Sequence, residues 1–300
     1  MRGGSVFIKD VEIEDTFAEA FRMYAARLVI TSETERWALT AARVAAGFAT
    51  SVIGCGCEAG IEGFVSDTPD GRPGVSCLFF AVSREELEKQ LLRRVGQGVM
   101  TAPMSACFNG LAAEKHCTIG GKLRFFGDGY QISKLFNQRR FWRIPVMDGE
   151  FVVEETFAVK EAVGGGNFIL LGQNTAVTLK AAEAAVGAIA GMEGVILPFP
   201  GGIVRSGSKV GSKYKFLPAS TNTAYCPTLR GQTCSALPPG VNCVLEIVIN
   251  GLDQEKVETA MQKGIEAAAI PGIMRITAGN YGGNLGKYKL FLHKLMGGAG

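Results

Sequence analysis

Apolar residues in this chain recur first at strand spacing and then at helical spacing, and the whole alternation occurs twice. Leu28-Val29-Ile30 lies in one continuous apolar run, and Phe168-Ile169-Leu170 lies in another, 140 residues later. The same offset aligns Leu39, Ala41, Ala42 and Ala45 with Leu179, Ala181, Ala182 and Ala185. Small and apolar positions so spaced predict a helix packed closely on a sheet. Upstream, Glu14-Asp15-Thr16-Phe17-Ala18 returns as Glu154-Glu155-Thr156-Phe157-Ala158. Further along the offset becomes 170, where Ser83, Leu87, Leu91 and Val95 correspond to Asp253, Val257, Met261 and Ile265. Each set is an N-cap residue followed by a buried stripe at i, i+4 and i+8, and Ser83 with Glu86 reads as a capping box. Strand candidates precede these helices at 75–82 and 243–249 and follow them at 122–126 and 289–292.

Each half thus reads strand, helix, strand, strand, helix, strand. That order predicts an α+β fold of two duplicated split β-α-β (ferredoxin-like) lobes, residues 1–146 and 147–300, with antiparallel sheets and helices on one face. The change of offset places about 30 extra residues in the second lobe, within 198–240. A connection of that length is uncommon unless it serves a function. It is dense in Gly, Pro, Ser, Lys and aromatic residues, so it is the first place to expect a site.

Composition narrows the function. The net charge is +3 and no run of five basic residues occurs, which excludes a basic nucleic-acid binder. No apolar run reaches the roughly 18 residues of a membrane span, and MRGGSVFIKDVEIED at the N-terminus lacks an apolar secretion core. A soluble cytoplasmic protein is expected. The eight cysteines then read as reduced thiols rather than a disulfide framework, and Cys55-x-Cys57 is too tight for a C-x-x-C pair. With only His116 and His293 beside them, no metal site is expected. The 40 glycines follow no collagen-like period; they concentrate at 164–166, 201–211 and 279–286, where they mark tight turns or close backbone approach.

Three motifs bear on chemistry. The segment 202–209, GIVRSGSK, nearly matches a phosphate-binding loop, but its lysine is one place late and the units around it are not parallel β-α-β. A broader role survives for it. Gly201, Gly202, Gly207 and Gly211 leave backbone N–H groups open to approach, while Arg205, Lys209, Lys213 and Lys215 supply charge suited to a phosphate or carboxylates. A solvated basic loop accounts for the same residues equally well. The segment 279–286, GNYGGNLG, has no G-x-G-x-x-G opening a helix, and no acidic residue follows at dinucleotide-fold spacing. Asp70 and Asp128 fall in turn-forming stretches, TPDGRPG and FFGDGY. Glu246 is the sharpest residue, the only charge in the apolar strand candidate VLEIVI. A carboxyl there is desolvated, which raises its pKa and lets it act as an acid near neutrality; a paired structural glutamate is the alternative. No G-x-S-x-G nucleophile is present, so direct transfer between two bound substrates is favoured over a covalent intermediate.

The segments VEIEDTFAEAF at 11–21, EAGIE at 58–62, TPDGRPG at 68–74, VMTAP at 99–103 and FFGDGY at 125–130 carry a resemblance. So do FPGGIV at 199–204, SGSKVGSKYKFLPASTN at 206–222, EIVINGL at 246–252 and TAGNYGG at 277–283. Through them nearly the whole chain resembles the formylmethanofuran–tetrahydromethanopterin formyltransferase family. The resemblance implies reversible transfer of a formyl group between the amine of methanofuran and N5 of tetrahydromethanopterin, an acyl transfer with no metal or prosthetic group. It implies Glu246 as the catalytic carboxyl, and a homotetramer of two-lobed subunits. Gly201, Gly202, Arg205, Ser208, Lys209, Lys213, Asp128, Tyr130 and Asn280 are the expected substrate-binding residues. The salt-adapted archaeal members are strongly acidic, whereas this chain is +3. The bacterial methylotroph version, a subunit of a formyltransferase/hydrolase complex in formaldehyde oxidation, is therefore favoured. An archaeal methanogenic enzyme, or a non-catalytic binding or scaffold subunit, is the alternative.

Overall fold

The computed structural model describes residues 6–297, which form two compact units. One comprises residues 23–162 with 191–198, the other residues up to 22 together with 163–190 and the chain from 199 onward.

In the first unit, Gly74–Ala81 lies between Glu58–Val65 and the long strand Phe17–Thr31, antiparallel to both. Ala106–Asn109 pairs antiparallel on the far side of the long strand, and Gly149–Glu154, Arg139–Val146 and Ile132–Phe136 extend the sheet beyond it. The helix Glu35–Ala46 is capped by Thr34 and buries Ala38, Ala41, Ala42 and Ala45; Leu39 is only partly covered. The helix Arg84–Arg94 is capped by Ser83, whose Oγ accepts from the Glu86 N–H, and it buries Leu87 and Leu91. The Glu86 carboxylate completes no reciprocal box but turns to Gln90 and Lys89. Both helices share a core with Ala26, Leu28, Ile30, Val75, Cys77 and Phe79 from one sheet face. Val29, paired with Ser76, points to the other face.

In the second unit the long strand Thr156–Gly172, from Val163 onward, pairs antiparallel with Cys243–Gly251 and with Ile273–Thr277. The helix Thr175–Ile189 buries Ala181, Ala182 and Ala185, while Leu179 is exposed. The helix Gln254–Ala268, capped by Asp253, buries Val257, Met261 and Ile265. Here too alternate strand residues part: Phe168 and Leu170 lie in register with Ile247 and Leu245, and Ile169 with Glu246.

Two strand expectations are corrected. Residues 122–126 lie in a short helix and a 3-10 turn, and the strand that closes the first sheet is Ala106–Asn109. Tyr288–Phe291 is a strand, but it pairs with Phe17–Ala20; Ile273–Thr277 takes the position expected of 289–292. The real strands are short apolar runs flanked by Pro and Gly, which offer too few alternations to read as strands. The stretch 198–240 is ordered as a 3-10 turn at Pro200–Gly202, a hairpin of Ser208–Val210 with Ala219–Thr221, and two further 3-10 turns. Among the described residues no helix is long and apolar enough to cross a membrane, and all eight cysteines are free.

Candidate functional site

Glu246 stands on the sheet face away from the helices, directly opposite Ile169, which is itself opposite Thr277. The inserted segment closes over this face. Val204 bridges to Glu246 through two backbone hydrogen bonds, N–H to carbonyl at 2.8 Å and 2.9 Å. Leu237 and Tyr225 from the same segment, with Val241 just after it, pack with Ile169, Leu171, Val244 and Met274. Gly202, which turns the chain towards Val204, is buried at a φ of +79°, a conformation that penalises a side chain.

This cover explains the electrostatics. Solvent still reaches part of the Glu246 side chain, but the protein encloses it on most sides. Desolvation pushes its pKa up to about 7, and among the described residues no donor or cation opposes the shift. The carboxyl is therefore shared between its acid and its base near neutral pH.

A second polar group lies beside it. The Tyr281 hydroxyl hydrogen-bonds the Ser208 side chain, and its pKa is raised first by burial and then by the Glu246 charge. The segment that carries Tyr281 follows the strand Ile273–Thr277 and is clamped at its start. Asn167 donates to the Gly279 carbonyl at 3.2 Å and accepts from the Gly279 N–H at 2.6 Å. Further along, the buried Glu19 carboxylate accepts from the backbone N–H groups of Tyr281 at 2.7 Å, Gly283 at 2.8 Å, Leu285 and Gly286. Burial opposes that charge, but the four amides outweigh it and hold the Glu19 pKa below the ordinary glutamate value.

The expected site residues divide accordingly. Glu246 is bridged by Val204, two residues after Gly202, and the exposed Ser208 partners the Tyr281 hydroxyl. Gly201 adopts a positive φ at an exposed turn next to Gly202. Arg205, Lys209 and Lys213 are exposed on the insertion, with Lys209 Nζ donating to Thr223 Oγ1 at 3.2 Å. Asn280 is spent within the fold: Nδ2 donates to Thr16 Oγ1 and the Phe17 carbonyl, and Oδ1 accepts from the Gly282 N–H. Asp128 and Tyr130 belong to the other unit, at an exposed left-handed turn after the 3-10 helix Arg124–Gly127. Glu19, Asn167 and Tyr281 were missed. The signal that marks Glu246, one charge inside an apolar strand, is also present at Glu19 in FAEAF.

The other unit holds an open cavity of about 1560 Å³ on its own helix-free face, between Arg27, Ser76, Phe108 and the hairpin of Arg139 and Phe141. Its charges are largely paired: Arg27 grips Glu62 at 2.7 and 2.8 Å, and Arg139 grips Glu154. Among the described residues no group of three or more His, Cys, Asp or Glu is gathered in a way that could hold a metal ion.

Residues 6–146 match the family model "Formylmethanofuran-tetrahydromethanopterin formyltransferase", and residues 149–295 match the model "FTR, proximal lobe". The chain is 54% identical over 297 residues to a formylmethanofuran–tetrahydromethanopterin formyltransferase from Methylococcus capsulatus, covering 97% of this chain and 100% of that one. It is equally 54% identical, over 296 residues, to the protein of the same name from Methanopyrus kandleri, covering 96% of this chain and 99% of that one. A crystal structure of the formyltransferase/hydrolase complex from Methylorubrum extorquens with methylofuran is similar at a TM-score of 0.95 and 49% identity, covering 98% of this chain and 99% of the matched one.

Proposed function

The chain belongs to the formylmethanofuran–tetrahydromethanopterin formyltransferase family, and from that premise we propose that Glu246 is the acid that drives its formyl transfer. The enzyme is a transferase whose substrates are the two one-carbon carriers, methanofuran and tetrahydromethanopterin. The observation that carries the assignment is the desolvated carboxyl on the helix-free sheet face beneath the inserted segment, pushed up to about 7 with no cation beside it among the described residues.

In the mechanism N5 of the pterin attacks the formamide carbon and the carbonyl electrons move to oxygen, giving a tetrahedral intermediate. A formamide nitrogen is a poor leaving group until it is protonated. Glu246 supplies that proton to the departing nitrogen, the C–N bond breaks, and the proton lost from N5 restores the acid. Binding both carriers in one orientation supplies the remaining acceleration. The amides of Tyr281, Gly283, Leu285 and Gly286 are engaged by Glu19, and the Gly202 N–H by the Phe199 carbonyl at 2.8 Å, so an oxyanion donor is better sought at the exposed turn of Gly201. Ser208 partners Tyr281, and Arg205, Lys209 and Lys213 lie exposed on the same insertion, suited to an anionic tail or phosphate of a carrier. Asp128 and Tyr130 are kept as a second contact region and Asn280 as a backbone anchor.

The α+β architecture is read as a duplicated split β-α-β lobe, the first spanning 1–146 and the second 147–300 with the insertion at 198–240. Register supports this: Val29 pairs with Ser76 as Ile169 pairs with Glu246, at the offsets of 140 and 170 seen in the sequence. Ser76, the counterpart of Glu246, donates to the Glu62 carboxylate at 2.6 Å, so the first lobe holds no free acid at that place. By its likeness to the methylofuran-bound bacterial complex, the chain is read as a cytoplasmic homotetramer working with a hydrolase partner in formaldehyde oxidation.

Glu246→Gln tests the assignment. It keeps size and burial but has no carboxyl proton, so kcat is expected to fall at least about 100-fold with both KM values little changed. A wild-type kcat would remove Glu246 from the mechanism.

A further inference from the structure

The segment Gly279–Gly286 curls four backbone N–H groups around one point, an arrangement that elsewhere binds an external anion. Here the anion is internal, the carboxylate of Glu19, which is 1% exposed. The curl requires glycine. A Cβ on Gly286 would stand 2.5 Å from the Ala20 carbonyl oxygen, and Gly282 and Gly283 hold φ values of +71° and +75°. Four amides converging on a buried side chain are more than a turn needs to close. They fix the residue between them, Tyr281, whose ring also lies against Phe21 with centroids 6.1 Å apart. Asn167, on the same sheet face as Ile169 and Glu246, clamps the start of the same segment.

We propose that Glu19 is a positioning residue for formyl transfer: by filling the amide nest of Gly279–Gly286 it holds the Tyr281 hydroxyl beside Glu246. The inference rests on Glu246 being the acid. The strand Ile273–Thr277 that leads to Tyr281 lies across Ile169 from Glu246, and Asn167 anchors the Tyr281 segment on that same sheet face, so displacing the tyrosine unsettles the direction in which the carboxyl presents its proton. Catalytic geometry tolerates little of this, since a shift of about 1 Å can cost about 100-fold in rate.

Amide hydrogen exchange across 277–288 and steady-state kinetics of the intact enzyme test the idea together. In Glu19→Gln an NH₂ group faces donors that now have no acceptor. Exchange in that stretch is expected to rise at least about tenfold with the rest of the chain unchanged, and kcat to fall about 10- to 100-fold with both KM values held. Tyr281→Phe should lower kcat as well, and the double variant should be no slower than the slower single. Three results would overturn the proposal: unchanged exchange, a wild-type kcat despite faster exchange, or multiplicative losses in the double variant. If Glu19→Gln does not fold, Glu19→Asp keeps the charge one methylene short. It should show the same changes in smaller measure, and a wild-type kcat with faster exchange would again overturn the proposal. A wild-type kcat in Glu246→Gln would sink the acid assignment and with it the role given to Tyr281, whereas exchange and the Glu19–Tyr281 cycle, which do not involve that side chain, read the Glu19–Tyr281 coupling separately.

Discussion

Two glutamates sit inside apolar strands of the second unit, and their surroundings give them opposite properties. Glu19 meets four backbone donors and stays ionised. Glu246 lies opposite Ile169 of an apolar cluster, and desolvation pushes it up to about 7. An unfolded glutamate titrates near 4.5, so across the interval between these values the folded state binds the extra proton. The stability this contributes is complete below about 4.5 and is lost as pH rises through about 7, to a total of about 3 kcal/mol. Glu246→Gln escapes the loss. Thermal melts should show the variant more stable than wild type above about pH 8, with the two converging near pH 4.5; a constant difference across that range would contradict the burial argument. Sequence alone exposed Glu246, because one charge interrupts VLEIVI. Glu19 shows the same signal, but its partners lie more than 260 residues away, and four amide donors to a carboxylate leave no trace in side-chain chemistry.

At the scale of elements, the repeat made the helices legible. Both copies place alanines where helix and sheet approach closely, at Ala41, Ala42 and Ala45 and at Ala181, Ala182 and Ala185. Two helical glycines separate close packing from open space. A Cβ on Gly187 meets nothing within 4 Å, so Gly187→Ala should stabilise by about 0.5–1 kcal/mol through the unfolded chain. A Cβ on Gly264 would lie 2.8 Å from both Phe168 and Ile189, so Gly264→Ala should destabilise by about 1–3 kcal/mol. Denaturant melts of the pair check both signs. The closing strands Ala106–Asn109 and Ile273–Thr277 escaped the sequence reading, because short runs leave hydrogen-bonded pairing, not alternation, to decide. The insertion was legible as an interruption of the repeat, but its docking on Glu246 through Val204 was not, since a backbone bridge depends on no particular side chain. Its exposed basic face gives a separate expectation. Lys209→Glu should raise KM for at least one carrier several-fold at low salt, with kcat retained, and unchanged KM values for both would remove this lysine from binding.

Across the whole molecule, equal identity to a bacterial and an archaeal relative means that overall similarity does not choose between the two settings. Net charge bears on the setting, and +3 argues against a salt-adapted, strongly acidic surface. The chemistry is asymmetric between the two units. The first spends Ser76 in the Arg27–Glu62–Ser76 network, while in the second Glu246 has no ion-pair partner among the described residues. The enzyme's pH response should therefore report a single protonated group, Glu246 of the second unit. The direct measurement is kcat against pH for the wild type and for Glu246→Gln, with both carriers saturating. The wild-type rate should fall tenfold per pH unit above an inflection near 7, where Glu246 loses its proton, and the low residual rate of Glu246→Gln should lack that inflection. The same inflection persisting in Glu246→Gln would contradict the account.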